Sequence, residues 1–340
     1  MMKKLKSLKV GVVGATGMVG KSFMETLEQR KFPVSELRPF ASEASLGKQI
    51  TLQGKSWSCQ VLKPGCFDGL DLVFFSSGDD ISKEWAPQAV KSGAFAVDNS
   101  NAFRMDEGVL LIVPEVNGDL LKESTKPQVI ANPNCTTMQL VVALKPLQDQ
   151  FGIEAVRVAS YQAASGAGQP GHDELMEQTK NFEKEPNPTA KAFVHPLLFN
   201  CIPEIGSFND QGFTSEEMKV MNETKKILRD NSIKTSAFTV RVPVPNAHAE
   251  AVWVTLKKDA TREQVVKALQ AGEGLVVDAD PRKYPTQRQV SGKDPVYVGR
   301  IHQDLSDTRT WLMWVVSDNI RKGAALNGIQ IAEAMTVFQA

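Results

Sequence analysis

Residues 132–137 contain the side chain best suited to do chemistry in this chain, the thiol of Cys135. The segment follows an apolar pair at 129–130 and precedes a helical pattern over 138–147, which predicts that Cys135 lies in the first turn of a helix. The positive end of the helix macrodipole favours the thiolate, the nucleophilic form of cysteine. In a chain that also contains a glycine-rich dinucleotide-binding loop, such a thiol suggests hydride transfer through a thioester. The alternative is a small buried hydrophobic residue.

The glycine-rich loop, residues 14–20, reads GATGMVG and lies between a β-branched run and a helical pattern. Glycines at such a position let the backbone approach a pyrophosphate, which then binds at the helix N-terminus. The alternative is a tight structural turn. The adenosine ribose is expected near residues 41–48, where Glu43 suits a free 2′-hydroxyl and Ser42, Ser45 and Lys48 suit a 2′-phosphate. These residues leave NAD and NADP open.

Five further polar residues are candidates for the same chemistry. Gln162 ends a predicted strand that runs into a loop of small residues. Arg241 is joined to His248 by a segment stiffened by prolines, and Glu216 and Lys219 are three apart, on one helix face. A lone histidine is commonly structural, and a Glu–Lys pair on a helix commonly lies in solvent. Each is therefore a candidate only as part of a larger site.

Composition excludes several classes of protein. The chain has 340 residues, with 39 basic and 39 acidic side chains, so it carries no net charge that would attract nucleic acid or an anionic membrane. No apolar run is close to the length of about 18 residues that spans a bilayer. The basic residues 1–9 are expected to lead into a strand rather than to form a signal peptide. The cysteines lack metal-site or disulfide spacing, which predicts no metal and reduced thiols in the cytoplasm.

The elements that must position these residues fall into two groups. Strands alternate with helices over roughly the first 133 residues, which predicts a parallel sheet. Beyond them, consecutive strands with few helices predict a mixed or antiparallel sheet in an α+β domain. Within it, residues 184–212 form a long excursion rich in proline and glycine, and residues 214–228 form a helix with a capping box. The last apolar segment, 323–338, is predicted to be a helix that returns to the first domain.

Taken together, these segments resemble the aspartate-β-semialdehyde dehydrogenase family, and the matches run in order through nearly the whole chain. They are GATGMVG (14–20), FFSSGDDISKEWAP (74–87), SNAFRMD (100–106), VPEVN (113–117), NPNCTT (132–137), YQAASGAG (161–168), EEMK (216–219), RVPV (241–244) and SDNIRKGAALN (317–327). The resemblance implies an α/β Rossmann-type dinucleotide-binding domain, residues 1–133 and 319–340. It also implies an α+β catalytic and dimerisation domain with a mixed sheet, residues 134–318.

The resemblance also implies an activity and roles for single residues. The reaction would interconvert L-aspartyl-4-phosphate and L-aspartate 4-semialdehyde with NADP, NAD being possible, in a homodimer or tetramer that also binds inorganic phosphate. Cys135 would be the nucleophile, Gln162 would orient the substrate and His248 would be the acid/base catalyst. The implied substrate-binding residues are Arg241 for the α-carboxylate, Glu216 for the α-ammonium, and Lys219, Arg104 and Asn134 for the phosphate. The implied cofactor-binding residues are Gly14, Thr16, Gly17, Met18, Val19, Ser42, Ser45, Ser77, Ser165, Gly166 and Asn319.

Two residues depart from the family pattern. Many members have arginine where this chain has Ala44, so the cation expected for a 2′-phosphate is missing there. The histidine segment usually begins with glycine, and here Ala247 precedes His248, so its methyl group is expected to restrict the local turn. The closest alternative is another acyl-phosphate reductase, such as N-acetyl-γ-glutamyl-phosphate reductase, which typically has glycine in place of Asn134, or a glyceraldehyde-phosphate-dehydrogenase-like enzyme. An alternative of another class is a cofactor-sensing binding protein with a degenerate site.

Overall fold

The structure, a computed structural model, describes residues 5–340 and divides into two compact units. Residues 1–4 of the predicted N-terminal lead-in lie outside the described residues. The first unit contains residues 5–133 and Ala324–Ala340, and the second contains Asn134–Gly323. The chain leaves the second unit after a turn in which Asp318 Oδ1 accepts the N–H groups of Ile320 and Arg321. Residues 319–323 therefore group with the second unit.

The first unit is built on a six-stranded parallel sheet in the order β2-β1-β5-β6-β8-β7. Its strands are β1 (Leu8–Val13), β2 (Val34–Phe40), β5 (Leu72–Phe75), β6 (Phe95–Asp98), β7 (Leu110–Leu111) and β8 (Val129–Ala131), and β3 (Gln49–Leu52) and β4 (Lys55–Ser58) form a separate antiparallel hairpin. Its helices are α1 (Met18–Gln29), α2 (Asp79–Lys91), α3 (Pro114–Asn117) and, from the end of the chain, α9 (Leu326–Ala334). The strand order changes direction between β1 and β5. Sheets of this kind bind ligands at such a point, outside the carboxyl ends of the strands.

The second unit is built on a mixed sheet in the order β10-β9-β11-β14-β13-β12. Its strands are β9 (Ile153–Gln162), β10 (Lys234–Arg241), β11 (His248–Leu256), β12 (Leu275–Val277), β13 (Val296–Gln303) and β14 (Thr310–Ser317). Its helices are α4 (Cys135–Phe151), α5 (Gly168–Asn181), α6 (Ser215–Leu228), α7 (Arg262–Gln270) and α8 (Gln287–Val290). Helices α4, α6 and α7 cover one face of the sheet.

The predicted fold class is confirmed, with a parallel sheet in one unit and a mixed sheet in the other. The apolar run at 110–113 forms only a two-residue strand, β7, because Pro114 begins a short helix directly after it. Three elements were not predicted from the sequence: α5, whose first residues are rich in glycine and proline, α7 and the β3–β4 hairpin. Helix α6 and its capping box are confirmed: Thr214 Oγ1 accepts the N–H of Glu217, whose side chain accepts the N–H of Thr214.

Candidate active site

Cys135 is the first residue of α4, as predicted. The helix begins there because Asn134 caps it: Asn134 Oδ1 accepts the N–H groups of Thr136 at 2.9 Å and Thr137 at 3.3 Å. The thiol is partly exposed. A Cβ atom on Gly323 would lie 2.9 Å from Cys135 Cβ, so the backbone at 323 can pass the cysteine only as glycine. The thiol is therefore fixed at the positive end of the helix.

A buried carboxylate, Glu216, joins three other predicted site residues. Its Oε1 accepts from Asn134 Nδ2 at 2.9 Å and from Gln162 Nε2 at 3.3 Å, and its Oε2 lies 3.4 Å from Lys219 Nζ. Glu216 is only 6% exposed, so the interpretation of this pair as a solvated one is wrong. Burial raises the pKa of Glu216, but Lys219, Asn134 and other donors outweigh it and lower the pKa below its ordinary value. The carboxylate is ionised and lies directly behind the residue that caps the helix of Cys135.

Arg241 ends β10 beside Gln162, its partner in the parallel register with β9. It is 5% exposed, and its Nη1 donates to the carbonyl oxygen of Ala163 at 2.7 Å. Burial lowers the pKa of Arg241, while the negative charges of Glu216 and Cys135 act in the opposite direction. A Cβ atom on Gly166 would lie 2.5 Å from Arg241 Nη1, so the small residue makes room for the guanidinium.

His248, the first residue of β11, is fully buried. Its Nδ1 accepts the backbone N–H of Ala163 at 3.0 Å, so the neutral ring carries its proton on Nε2. Within the described residues, Nε2 has no hydrogen-bond partner. Burial, and then the charge of Arg241, lower the pKa of His248 well below its usual value. One residue, Ala163, thus orients both Arg241 and His248 through its backbone.

The loop before His248 is held by two residues that the resemblance assigns to the cofactor. Asn319 Oδ1 accepts the N–H of Ala247 at 2.9 Å, and Asn319 Nδ2 donates to Ser165 Oγ at 3.0 Å. Ala247 is fully buried and has φ +70°, in the left-handed region. The methyl group of Ala247 was predicted to restrict the turn, and this residue does have a backbone conformation that is unfavourable for alanine. The cofactor roles of Ser165, Gly166 and Asn319 stay predictions.

In the first unit, the glycine-rich loop follows β1 and opens α1. Gly14 has φ +80°, and a Cβ atom on it would lie 2.9 Å from the carbonyl oxygen of Ser76. A Cβ atom on Gly20 would lie 2.2 Å from the carbonyl oxygen of Gly14, so both positions require glycine. No side chain caps α1 at Gly17, which leaves first-turn N–H groups available to an anion. At the end of β5, Ser77 Oγ is buried and has no hydrogen-bond partner among the described residues.

These features fit a dinucleotide pyrophosphate at the carboxyl edge of the first sheet. The loop residues predicted to contact it are all at least partly exposed: Gly14, Thr16, Gly17, Met18 and Val19. Ser42 and Ser45 lie beyond the end of β2, around a 3-10 helical turn over Glu43–Ser45, and Ala44 and Lys48 beside them are exposed.

Arg104 belongs to the first unit and is buried there. Its Nε donates to the carbonyl oxygen of Asn132 at 3.0 Å and its Nη2 to that of Asn99 at 2.7 Å. These bonds fix the guanidinium against the loops that follow the strands. Its phosphate-binding role stays a prediction.

Sequence reasoning missed three contributors to the second-unit site. Ala163 orients Arg241 and His248 through backbone groups, which no side-chain pattern can indicate. Glu223 Oε2 accepts the N–H of Asn134 at 2.7 Å, and its place seven residues after Glu216, on the same face of α6, was a usable signal. Phe193, in the unassigned excursion, has its ring centroid 5.8 Å from Arg241 Cζ.

Among residues 5–340, none of the helices is both long and apolar enough to cross a membrane. The same residues contain no group of three or more histidine, cysteine or acidic side chains that could hold a metal ion.

Comparisons with known proteins cover almost the whole chain. Residues 9–124 match the family model described as semialdehyde dehydrogenase, NAD binding domain, and residues 144–322 match the one described as semialdehyde dehydrogenase, dimerisation domain. An aspartate-semialdehyde dehydrogenase from Aquifex aeolicus is 46% identical over 331 residues, 96% of this chain and 97% of the relative. One from Bacillus subtilis is 42% identical over 340 residues, 97% of this chain and 98% of the relative.

Solved structures agree. The crystal structure of aspartate semialdehyde dehydrogenase II complexed with ASA from Vibrio cholerae matches with a TM-score of 0.93 and 43% identity, over 97% of this chain and 98% of that one. The crystal structure of aspartate semialdehyde dehydrogenase with NADP from Candida albicans matches with a TM-score of 0.76 and 27% identity, over 98% and 99%.

Proposed function

Because this chain belongs to the aspartate-semialdehyde dehydrogenase family, we propose that it reduces L-aspartyl-4-phosphate to L-aspartate 4-semialdehyde through a thioester on Cys135. The family match favours this reaction over that of N-acetyl-γ-glutamyl-phosphate reductase. The observation that carries the proposal is the thiol at the start of α4, whose capping residue Asn134 is joined through Glu216 to Gln162, the neighbour of Arg241 in the sheet. The route supplies the aldehyde for lysine, threonine and methionine biosynthesis.

Substrate binding needs one group for each charge of an amino acid. The guanidinium of Arg241 is buried and presents N–H groups that no described residue accepts, which suits the α-carboxylate. Glu216 is an ionised carboxylate and suits the α-ammonium, and Lys219 beside it is partly exposed and suits the phosphate. Gln162, bonded to Glu216, would orient the substrate next to the thiol.

The first step is attack of the Cys135 thiolate on the acyl carbon of the substrate. A C–S bond forms, the C–O bond to phosphate breaks and inorganic phosphate leaves with the electron pair. The start of α4 favours the thiolate and can also stabilise the negative charge on the carbonyl oxygen. The product is a thioester on Cys135.

The second step is reduction of the thioester carbon. A bound reduced nicotinamide supplies the hydride. His248 presents Nε2–H, so it can donate a hydrogen bond to the oxygen on which negative charge develops. The C–S bond then breaks and Cys135 returns to the thiolate as the aldehyde forms. These steps need a hydrogen-bond donor at His248. Substitutions of His248 can separate this role from the predicted acid/base role.

The test is NADP⁺ reduction with aspartate semialdehyde and inorganic phosphate as co-substrates. Cys135→Ser is expected to lose at least about 10³-fold in turnover, because a serine hydroxyl at the same position remains protonated. Cys201→Ser, which changes an exposed free thiol in the same unit, is the matched control and is expected to keep wild-type rates. Near-wild-type turnover of Cys135→Ser would overturn the covalent mechanism.

The cofactor we propose is NADP. The first unit offers a pyrophosphate site, and Ser42, Ser45 and Lys48 are exposed or partly exposed next to the end of β2, where a 2′-phosphate would be expected. The experiment is a titration with NADP⁺ and NAD⁺ side by side. Lys48→Ala is expected to raise the KM for NADP⁺ several-fold and leave that for NAD⁺ unchanged. Equal effects on both would contradict a 2′-phosphate contact.

We also propose that the protein works as a cytoplasmic homodimer. The second unit matches a dimerisation domain, and the sheet face opposite α4 and α6 carries aromatic residues in contact with solvent: Trp253 and Trp314 are partly exposed and Tyr161 is exposed. A surface cavity of about 500 Å³ lies on this face. Apolar surface of this kind is typical of an interface between copies. The four cysteines are free thiols, which fits a reducing compartment.

A further inference from the structure

One face of α5 holds part of the unassigned excursion in a fixed place. Gly171, Glu174 and Gln178 have the spacing of one helix face, and both polar side chains are buried. Glu174 Oε1 accepts from Gln178 Nε2 at 2.9 Å, so the two act together. Residues 191–198 of the excursion, here called the strap, lie against this face.

Backbone N–H groups of the strap are bonded at both of its ends. Glu174 Oε2 accepts the N–H of Lys191 at 3.0 Å and that of Ala192. Gln178 Oε1 accepts the N–H of Leu197 at 3.0 Å and of Leu198 at 2.9 Å. Because buried acceptors satisfy these groups in place of water, releasing the strap would leave Glu174 and Gln178 unsatisfied. The strap is therefore an ordered part of the second unit.

The strap places Phe193 on the guanidinium of Arg241. The ring centroid lies 5.8 Å from Arg241 Cζ, within the range of a cation–π contact. A Cβ atom on Gly171 would lie 2.9 Å from Phe193 Cζ, and closer still to Ala167 Cβ and the carbonyl oxygen of Ala164, so the ring packs where α5 has glycine. The same face of α5 thus carries the two residues that hold the strap and the glycine against which its ring packs.

Arg241 keeps N–H groups for a ligand beside Phe193. Arg241 Nη1 donates to Ala163, and within the described residues that is the one hydrogen bond of the guanidinium. The guanidinium carbon lies over the face of the Phe193 ring, and the remaining N–H groups point outward in the plane of the guanidinium. A carboxylate that meets these N–H groups edge-on can form a bidentate pair next to the ring.

We propose that Phe193 is a substrate-positioning residue that confers selectivity for a free α-carboxylate. This inference rests on the proposed function, in which Arg241 binds that carboxylate. The ring excludes water from one side of the ion pair and so strengthens it. The excursion is thereby part of the substrate site.

The experiment compares Phe193→Ala, Phe193→Leu and the control Phe199→Ala in the assay with aspartate semialdehyde, phosphate and NADP⁺. Phe199 belongs to the same excursion, is 75% exposed and contacts Phe182 rather than Arg241. For Phe193→Ala the KM for the semialdehyde is expected to rise about five- to tenfold, with kcat within about twofold of wild type. Phe193→Leu keeps an apolar side chain but removes the ring, and its KM for the semialdehyde is expected to rise as it does in Phe193→Ala.

Two further readouts separate positioning from a structural effect. The KM values for phosphate and NADP⁺ should be unchanged in Phe193→Ala, and so should kcat/KM for propanal, which has no α-carboxylate. Glu174→Ala, which releases the strap, should reproduce the rise in KM for the semialdehyde, whereas Asp173→Ala changes an exposed carboxylate of the same helix that pairs with His172 and should not.

The outcomes are distinguishable from a failure of the proposed function. Wild-type protein that does not oxidise the semialdehyde would refute the proposed function itself. An active wild type with an unchanged KM in Phe193→Ala would overturn the role of Phe193. An equal rise in every KM, with propanal oxidation also lost, would mean that the ring only supports the fold.

Discussion

At the scale of single residues, His248 can exchange a hydrogen bond with a substrate through one ring nitrogen only. Its Nδ1 accepts the N–H of Ala163, and a Cβ atom on Gly166 would lie 3.1 Å from Nε2 and 2.5 Å from Arg241 Nη1. A ring whose pKa is lowered by burial stays neutral and can donate through Nε2–H. We therefore expect His248 to stabilise an oxyanion rather than to transfer a proton.

Two amide substitutions separate these roles. The amide nitrogen of His248→Gln can lie near the position of Nε2, whereas that of His248→Asn cannot. We expect His248→Gln to turn over at least about tenfold faster than His248→Asn, because one oxyanion donor is worth about 10²–10³ in turnover. Single-turnover kinetics of hydride transfer give the measurement. Equal losses in both variants would favour proton transfer by the imidazole.

Ala247 is a second residue whose backbone decides a measurable property. It has φ +70° and is fully buried, and Ala249, also fully buried, lies in the extended β11. Replacing either alanine with glycine removes one buried methyl group and increases the conformational freedom of the unfolded chain by the same amount. Only Ala247→Gly also removes an alanine from the left-handed region. Ala247→Gly should therefore be more stable than Ala249→Gly by about 1–2 kcal/mol. Urea denaturation gives the comparison, and equal unfolding free energies would show that Ala247 is unstrained.

Glu250 determines a pH dependence of stability. Both carboxyl oxygens are buried without a hydrogen-bond partner in the part of the chain that the structure describes. Burial raises the pKa of Glu250 well above its usual value, against a lesser opposing effect of Gln139. The folded protein keeps this proton, while the unfolded chain releases it above about pH 4.3. The stabilising contribution is thus complete below that pH and is lost as pH rises toward the folded pKa.

The isosteric Glu250→Gln removes this dependence. The unfolding free energy of the variant relative to wild type should increase with pH above about 4.3, by up to about 1.4 kcal/mol for each pH unit. His248 is present in both proteins, so its own titration cancels. Thermal unfolding at pH 5 and pH 8 tests the prediction. A gain that is larger at pH 5 would mean that Glu250 is ionised in the folded protein.

At the scale of elements, the capping box of α6 links stability to substrate binding. Thr214 begins the turn that carries Glu216, and Glu217 of the same box also accepts the N–H of Thr239 in β10 at 3.0 Å. Thr214→Ala should cost about 1 kcal/mol of stability and raise the KM for the semialdehyde, because the first turn frays. Thr261→Ala removes a similar box from α7 and should cost stability alone. A KM that changes equally in both variants would contradict the link.

Elements with local signals could be predicted from the sequence, and those with tertiary causes could not. Helix α6 was predictable because its capping box lies within four consecutive residues, and α4 because a capping residue precedes an apolar run. Helix α5 begins with the glycine and proline typical of a loop, and the hydrogen bonds of Glu174 and Gln178 are made with the strap, a separate segment of the chain.

The site shows the same division. Cys135, Gln162, Arg241 and His248 could be predicted because their residue types match a chemistry and a family. Phe193 and Ala163 could not, because an aromatic ring and a backbone amide acquire their meaning only from contacts with Arg241 and His248. The left-handed φ of Ala247 was likewise foreseen only as a restriction on the turn.

At the scale of the whole molecule, the second sheet explains why one polypeptide is expected to pair with another. In β11, His248, Glu250 and Val252 lie on the side of the helices and are buried. Ala251 and Trp253 alternate with them along the strand, lie on the opposite side and are partly exposed. Trp253 lies opposite Leu312 in the register with β14. An apolar face on the central strands of a sheet needs a cover, and a second copy supplies one of matching shape and chemistry.

A charge placed at the centre of this face should separate the protomers. For Trp253→Glu we expect at least about a 30-fold weaker self-association, because losing a central interface tryptophan costs about 2 kcal/mol or more. Phe208→Glu places the same charge on an exposed aromatic position of the second unit outside the sheet and is the control. Sedimentation velocity over a dilution series measures both variants. A Trp253→Glu protein that sediments as wild type at every concentration would place the contact between copies elsewhere, since a buried unpaired carboxylate cannot be accommodated in an apolar interface.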